Sequence, residues 1–127
     1  YVFSTDFKIH SVSFFLENII SKIDKNKFEV IISNDRSTDK TKNIIDQYAK
    51  EYSFIKTIDI FEKHDMTPKK FALEKAINQS IGKIIIATDA DCRVPINWVK
   101  NMATIVEDTG KVAIGYSKIE SPQIIFN

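Results

Sequence analysis

Two runs of consecutive aliphatic residues, Val30-Ile31-Ile32 and Ile84-Ile85-Ile86-Ala87, constrain this chain more than any other feature. A strand with one wet face alternates apolar and polar residues. A strand that is apolar at successive positions must be covered on both faces, as in a parallel sheet held between two helix layers. Further strand candidates are Tyr1–Thr5, Ile55–Ile60 and Val112–Ser117, and the two runs extend to Phe28–Ser33 and Lys83–Thr88. Helical spacing fills the gaps. Ser11 can cap a first helix with Val12, Phe15, Leu16, Ile19 and Ile23 on its apolar face. Ser37 can cap a second, with Ile44, Ile45, Tyr48 and Ala49 inward. Thr67-Pro68 supplies the cap and first residue of a third, ending at Gly82 and burying Ala72, Leu73, Ala76 and Ile77. A fourth runs from Asn97 to Asp108, before Gly110. The alternation predicts an α/β fold: an open, mostly parallel sheet with helices on both faces and right-handed crossovers.

The 127 residues suit one domain, and 43% hydrophobic with 28% charged residues is ordinary globular usage. A formal net charge of +1, with Lys and Arg scattered, gives no reason to expect nucleic acid. The single cysteine, Cys92, excludes an internal disulfide. No apolar run approaches the roughly 20 residues of a membrane span. A cytoplasmic location is expected, at the cytoplasmic face of a membrane if a longer parent carries an anchor.

In an open α/β sheet the ligand lies beyond the carboxyl ends of the strands. Asn34-Asp35 follow the second predicted strand, and Thr88-Asp89-Ala90-Asp91 close the fourth. If those strands are neighbours, three carboxylates converge at one edge. Such a cluster repels itself unless a cation joins it, and a hard divalent ion with oxygen ligands is the natural one.

These segments carry a family resemblance. Glu29 through Thr41, Glu-Val-Ile-Ile-Ser-Asn-Asp-Arg-Ser-Thr-Asp-Lys-Thr, resembles the second-strand motif E-V-I-I-V-D-D-G-S-T-D-x-T of family 2 glycosyltransferases. Lys70, Ala72-Leu73, Ala76-Ile77, Gly82 and Thr88-Asp89-Ala90-Asp91 resemble that family's later K-x-x-A-L-N-x-G-I-x-x-A-x-G-x-x-I-x-x-x-D-A-D, and Pro95 and Trp98 fall where a P-x-W segment is frequent. The likeness covers residues 28 to 117, in order and spacing. It implies the Rossmann-like nucleotide-binding half of a GT-A fold, with 1–127 as a single nucleotide-sugar-binding domain. It implies transfer of a sugar from a nucleotide diphosphate sugar, a UDP-sugar by preference, to an acceptor hydroxyl with inversion. Asp35 matches the residue that reads the base, Asp89 the residue near ribose or metal, and Asp91 the ligand bridging metal and diphosphate. Thr5, Asp35, Lys70, Asp89 and Asp91 thus form the expected nucleotide-sugar site, with Mn²⁺ or Mg²⁺ on Asp89 and Asp91.

The chain also departs from the pattern. Val2-Phe3-Ser4-Thr5-Asp6 lacks the usual Pro; Asn34 replaces the first Asp of the pair; Glu74 replaces a common Asn. Arg36 fills a Gly slot, which implies a different turn or an added positive contact. Nothing corresponds to the acceptor half, so no catalytic base is expected within these residues, and the chain reads as part of a longer protein. Apolar Ile124, Ile125 and Phe126 beside an open sheet edge imply self-association as a homodimer.

Other readings fit less well. A haloacid-dehalogenase-like phosphatase places its D-x-D on the first strand with Thr or Val two residues later, where Arg93 stands here. A receiver domain needs an acidic pair after the first strand, where only Asp6 occurs. A dinucleotide site needs G-x-G-x-x-G, and the chain has three separated glycines. A non-catalytic nucleotide-binding or interaction module shares the same binding residues.

Overall fold

The computed structural model describes residues 2–4, 16–18, 24, 26–62, 65–89 and 92–116. Among them the sheet has four strands: β1 (Val2–Ser4), β2 (Val30–Asp35), β3 (Ile55–Ile60) and β4 (Ala87–Asp89). Three helices follow β2, β3 and β4 in turn: α1 (Thr41–Glu51), α2 (Pro68–Gln79) and α3 (Trp98–Thr109). Residues 16–18 are also helical. The strand order is β3-β2-β1-β4 and every pairing is parallel. The expected open α/β fold with a parallel sheet is the fold observed.

β2 explains the layering. Val30, Ile31 and Ile32 are each at most 1% exposed. Successive side chains on a strand point to opposite faces, so this burial requires cover on both. On one face Val30, Ile32 and Ile55 pack with Leu16, Ile45 of α1, Val99 of α3, Ile86 and Val94. On the other, Ile31, Ile58 and Ile60 meet Ala72 and Ala76 of α2. The two alanines let the α2 backbone come close to the sheet, so that the Ser33 hydroxyl donates to the Ala72 carbonyl at 3.0 Å.

Several boundaries differ from the sequence reading, each because pairing or a side chain decides what propensity cannot. β2 runs to Asp35 because β3 pairs with it residue for residue, Val30 with Ile55 through Asp35 with Ile60. Asn34 and Asp35 are therefore its last two residues rather than the residues after it. β4 is confined to Ala87–Asp89, the stretch matched by Val2–Ser4 of β1. Val112–Ser117 was expected as a fifth strand; residues 112–116 form none, and Val112, Ile114 and Tyr116 are exposed. An apolar segment becomes a strand only where a neighbour completes its hydrogen-bond ladder, and these residues do not pair with β4. α1 starts at Thr41, not after Ser37, with the Thr41 amide donating to the Asp39 carboxylate at 2.8 Å. α2 starts as expected with Thr67 at the cap and Pro68 first, but ends at Gln79. There the Ser80 amide and hydroxyl both take the Ile77 carbonyl, at 3.1 and 2.8 Å, and close the helix before Gly82. α3 matches its expected ends, with Asn97 at its start and Gly110 left-handed at φ +61°. Most of the first predicted helix, with Ser11, and the Ile124–Phe126 patch lie outside the described residues.

Two polar networks hold the sheet to its connections. At the amino end of β2, Glu29 accepts from the Ile81 and Gly82 amides at 2.6 and 3.0 Å and from Lys56 at 2.7 Å. Burial pushes the Glu29 carboxyl up, but the Lys56 and backbone hydrogen bonds outweigh it and hold the pKa below its ordinary value. At the other end, Asn34 donates to Asp59 at 2.8 Å, and Lys42 of α1 bonds Asp59 and pairs with Asp46 at 3.2 Å. Burial opposes the Asp59 charge, yet Lys42 and Asn34 bring its pKa below normal; the hydrogen bonds of Lys42 to Asp59 and Asp46 raise that of the lysine.

Two stability predictions follow from these networks. A carboxylate with a depressed folded-state pKa stabilises the fold above its unfolded pKa, and the gain is lost as pH falls through the folded one. Glu29→Gln should cost about 1.5–3 kcal/mol at neutral pH and flatten the loss of stability on acidification below the ordinary glutamate range; urea melts at pH 7 and pH 3 measure both. Asn34→Asp places a second carboxylate against Asp59 in place of a donor. It should destabilise by about 1–3 kcal/mol at pH 7 and recover part of this near pH 4, where one of the two acids can be protonated. Equal melting midpoints for wild type and variant at pH 7 would contradict the Asn34–Asp59 account.

Candidate functional site

The sheet order reverses direction at β1. From β1 the chain proceeds outward to β2 and β3, then returns to place β4 on the other side of β1. In such sheets the crevice at the reversal is where ligands lie, outside the carboxyl ends of the strands. Register aligns that edge: Ser4 pairs with Ser33 on one side and with Asp89 on the other. Asp35 stands two residues farther along β2. Asp35 and Asp89 therefore share the carboxyl edge but flank β1, roughly 12 Å apart between Cα atoms by ordinary strand spacings. The neighbouring-strand arrangement that would merge them into one carboxylate cluster is not formed. Among the described residues no group of three or more His, Cys, Asp or Glu could hold a metal ion. Thr5 and Asp91 lie outside the described residues.

Each described carboxylate at this edge has a cation. Lys69, in the first turn of α2, brings its Nζ to 2.5 Å from Asp89 Oδ1, with the Asp89 side chain 48% exposed. Lys70, the sequence candidate, is exposed and makes no ion pair with a described residue. Spacing turns both stripes of α2 inward, and the packing separates them, with Ile77 exposed where burial was expected. Lys69 shares a stripe with Ala72 and Ala76, which are fully buried against the sheet, whereas Lys70 shares one with Leu73 and the exposed Ile77. The Cys92 amide donates to the Asp89 carbonyl at 3.3 Å, and Cys92 is half-buried and free.

Asp35 is held differently. Arg36 Nε donates to Asp35 Oδ1 at 2.6 Å and Nη2 to Oδ2 at 3.2 Å, leaving the Asp35 side chain 6% exposed and that of Arg36 44%. Adjacent residues on a regular strand point to opposite faces and could not make this fork. Arg36 breaks the alternation with φ +53°, and no other non-glycine described residue has a positive φ. The left-handed backbone that a glycine adopts freely is thus kept with an arginine in place, and the added positive contact is made to its own neighbour.

Chemically, the edge offers a partly exposed carboxylate beside an exposed ammonium at β4, and a guanidinium over a carboxylate at β2. Such an arrangement can bind an elongated anionic ligand laid across β1. Trp98 is half-buried against the core rather than in this crevice.

Comparison with known proteins identifies the family of the chain. The model of the family described as Glycosyl transferase family 2 matches residues 9–123. Over 67 residues, 53% of this chain, it is 33% identical to the probable glycosyltransferase YdaM of Bacillus subtilis, covering 16% of that protein. Over 91 residues, 72% of the chain, it is 28% identical to the glycosyltransferase AglE of Haloferax volcanii, covering 29% of it. The chain thus spans less than a third of either relative. No solved structure gives a significant match. No helix among the described residues is long and apolar enough to cross a membrane. Motif order, parallel α/β sheet and a family match over most of its length together establish that this chain belongs to the family 2 glycosyltransferases.

Proposed function

We propose that this chain is the donor-binding part of a metal-dependent, inverting glycosyltransferase that moves a sugar from a nucleotide diphosphate sugar to an acceptor hydroxyl. The observation that carries this reading is Asp89 at the carboxyl end of β4, beside the reversal of strand order, with Lys69 against it. A lysine ammonium already stands at a cation position on Asp89, and the donor is a hard carboxylate oxygen; both fit Mn²⁺ or Mg²⁺. Asp89 and Asp91 would hold the ion, which when bound neutralises the charge developing on the leaving diphosphate.

The chain's own residues do the rest of the donor's work. The Lys69–Asp89 pair is largely solvent-exposed, so it is worth about 0–1 kcal/mol and exchanges easily. Lys69 can therefore leave Asp89 and meet a phosphate oxygen at the same edge. The β2 end lies across β1 from the diphosphate position, where a base would fall. The acceptor and the base that deprotonates it belong to the part of the family's architecture outside these motifs.

Asp91→Asn should weaken Mn²⁺-dependent binding of nucleoside diphosphates about a hundredfold or more, each tenfold being ~1.4 kcal/mol. Calorimetry with UDP and with GDP, each with Mn²⁺, measures this, and circular dichroism monitors the fold. Unchanged affinity in a folded variant contradicts the metal assignment.

A further inference from the structure

We propose that Arg36, rather than Asp35, reads the base, and that it selects a guanine nucleotide over a uracil one. The inference rests on the nucleotide-sugar reading above and adds the identity of the base. A bare aspartate at the end of β2 would accept a hydrogen bond from a base N–H, such as the imide of uracil. Here that carboxylate is 6% exposed and its two oxygens already receive Nε and Nη2 of Arg36. The surface presented to a ligand is the guanidinium.

A guanidinium carries five N–H groups in one plane. The fork on Asp35 takes one from Nε and one from Nη2. The outer edge, formed by Nη1 and the second hydrogen of Nη2, makes no other hydrogen bond among the described residues. That edge presents two parallel donors, and it is held in place by the fork behind it. Its complement is a pair of adjacent acceptors. Guanine offers one in O6 and N7, at the end of the base far from the ribose; adenine pairs N7 with a donor, uracil has a donor N–H between O4 and O2, and cytosine's adjacent acceptors, N3 and O2, lie on the edge that begins beside the ribose.

Position separates a base from a phosphate, which would also fit a guanidinium fork. Arg36 follows Asp35, two strands from Asp89 across β1. If the diphosphate lies at Asp89, the far end of the nucleotide falls at Arg36. The backbone agrees with a dedicated role. A left-handed arginine is uncommon and uphill, and Arg36 takes that conformation next to the aspartate its guanidinium forks.

The test measures affinities of GDP, UDP and pyrophosphate, each with Mn²⁺, for the whole chain and for Arg36→Gly and Arg36→Lys. Glycine adopts the left-handed backbone without strain, so that variant retains the turn; lysine retains the charge without the fork. The wild type should bind GDP about tenfold or more tighter than UDP. Both variants should lose that preference, chiefly through weaker GDP binding, with pyrophosphate unchanged in all three. A wild-type preference for UDP, or a GDP-to-UDP ratio untouched by Arg36→Gly, would overturn the proposal while leaving the nucleotide-sugar reading standing. Equal weakening of GDP, UDP and pyrophosphate would overturn it in favour of a phosphate contact. Failure of the wild type to bind either nucleotide would overturn the underlying reading and this inference with it.

Discussion

Burial of β2 on both faces is the constraint from which the rest of the molecule follows. Three successive aliphatic residues cannot be hidden by one layer, so α1 and α3 with residues 16–18 cover one face and α2 covers the other. Parallel strands then need long connections, which these helices supply. Returning from β3 past β2 to the far side of β1 brings α2 across the sheet and leaves its first turn over the carboxyl edge. Lys69 reaches Asp89 because of that path. The binding edge is a consequence of how the apolar strand is covered.

The same edge must solve an electrostatic problem. Carboxylates collected at strand ends repel unless each is matched, and every described one is: Asp59 by Lys42 and Asn34, Asp35 by Arg36, Asp89 by Lys69. The matches differ in accessibility. Asp59 is enclosed by β2 and α1 and serves the fold. Asp89 is nearly half exposed and its partner more so, which leaves it free to exchange cations. Asp35 is the most covered of the three, at 6% exposed, while the Arg36 that covers it faces solvent. Two covered carboxylates, on β3 and β2, thus share the edge with an exchangeable one on β4.

Much of this was legible in the sequence, for identifiable reasons. Ile55–Ile60 and the span of α3 are bounded by strong local signals, and the double-faced apolar run of β2 fixed the layer architecture. What escaped were features decided by partners. Lys83–Ile86 carries strand chemistry, but β1 offers ladder positions only to Ala87–Asp89. Residues 112–116 have apolar alternation but pair with no strand among the described residues. Asn34 is an acid replaced by an amide in the motif, and only the Asp59 opposite it on β3 gives the exchange a physical reason. Arg36 was visible as an oddity in a glycine slot, but its pairing with Asp35 depends on a φ that no residue pattern states. The choice of Lys69 over Lys70 also escaped: spacing turns Leu73 and Ile77 inward along with Ala72 and Ala76, and only the packing of α2, which leaves Ile77 exposed, separates the two stripes.

The central claim is that the crevice where β1 separates β2 from β4 holds a metal-bound nucleotide. Paramagnetic relaxation by Mn²⁺ tests it most directly, read from amide signals of the isotope-labelled chain with a nucleoside diphosphate present. The account predicts the strongest broadening at Ser4 and Asp89, weaker broadening at Asp35 and Arg36, and the weakest of these at Glu29, Ile81 and Gly82 near the start of β2. Broadening centred on those last three residues, or spread evenly over surface carboxylates, would contradict it.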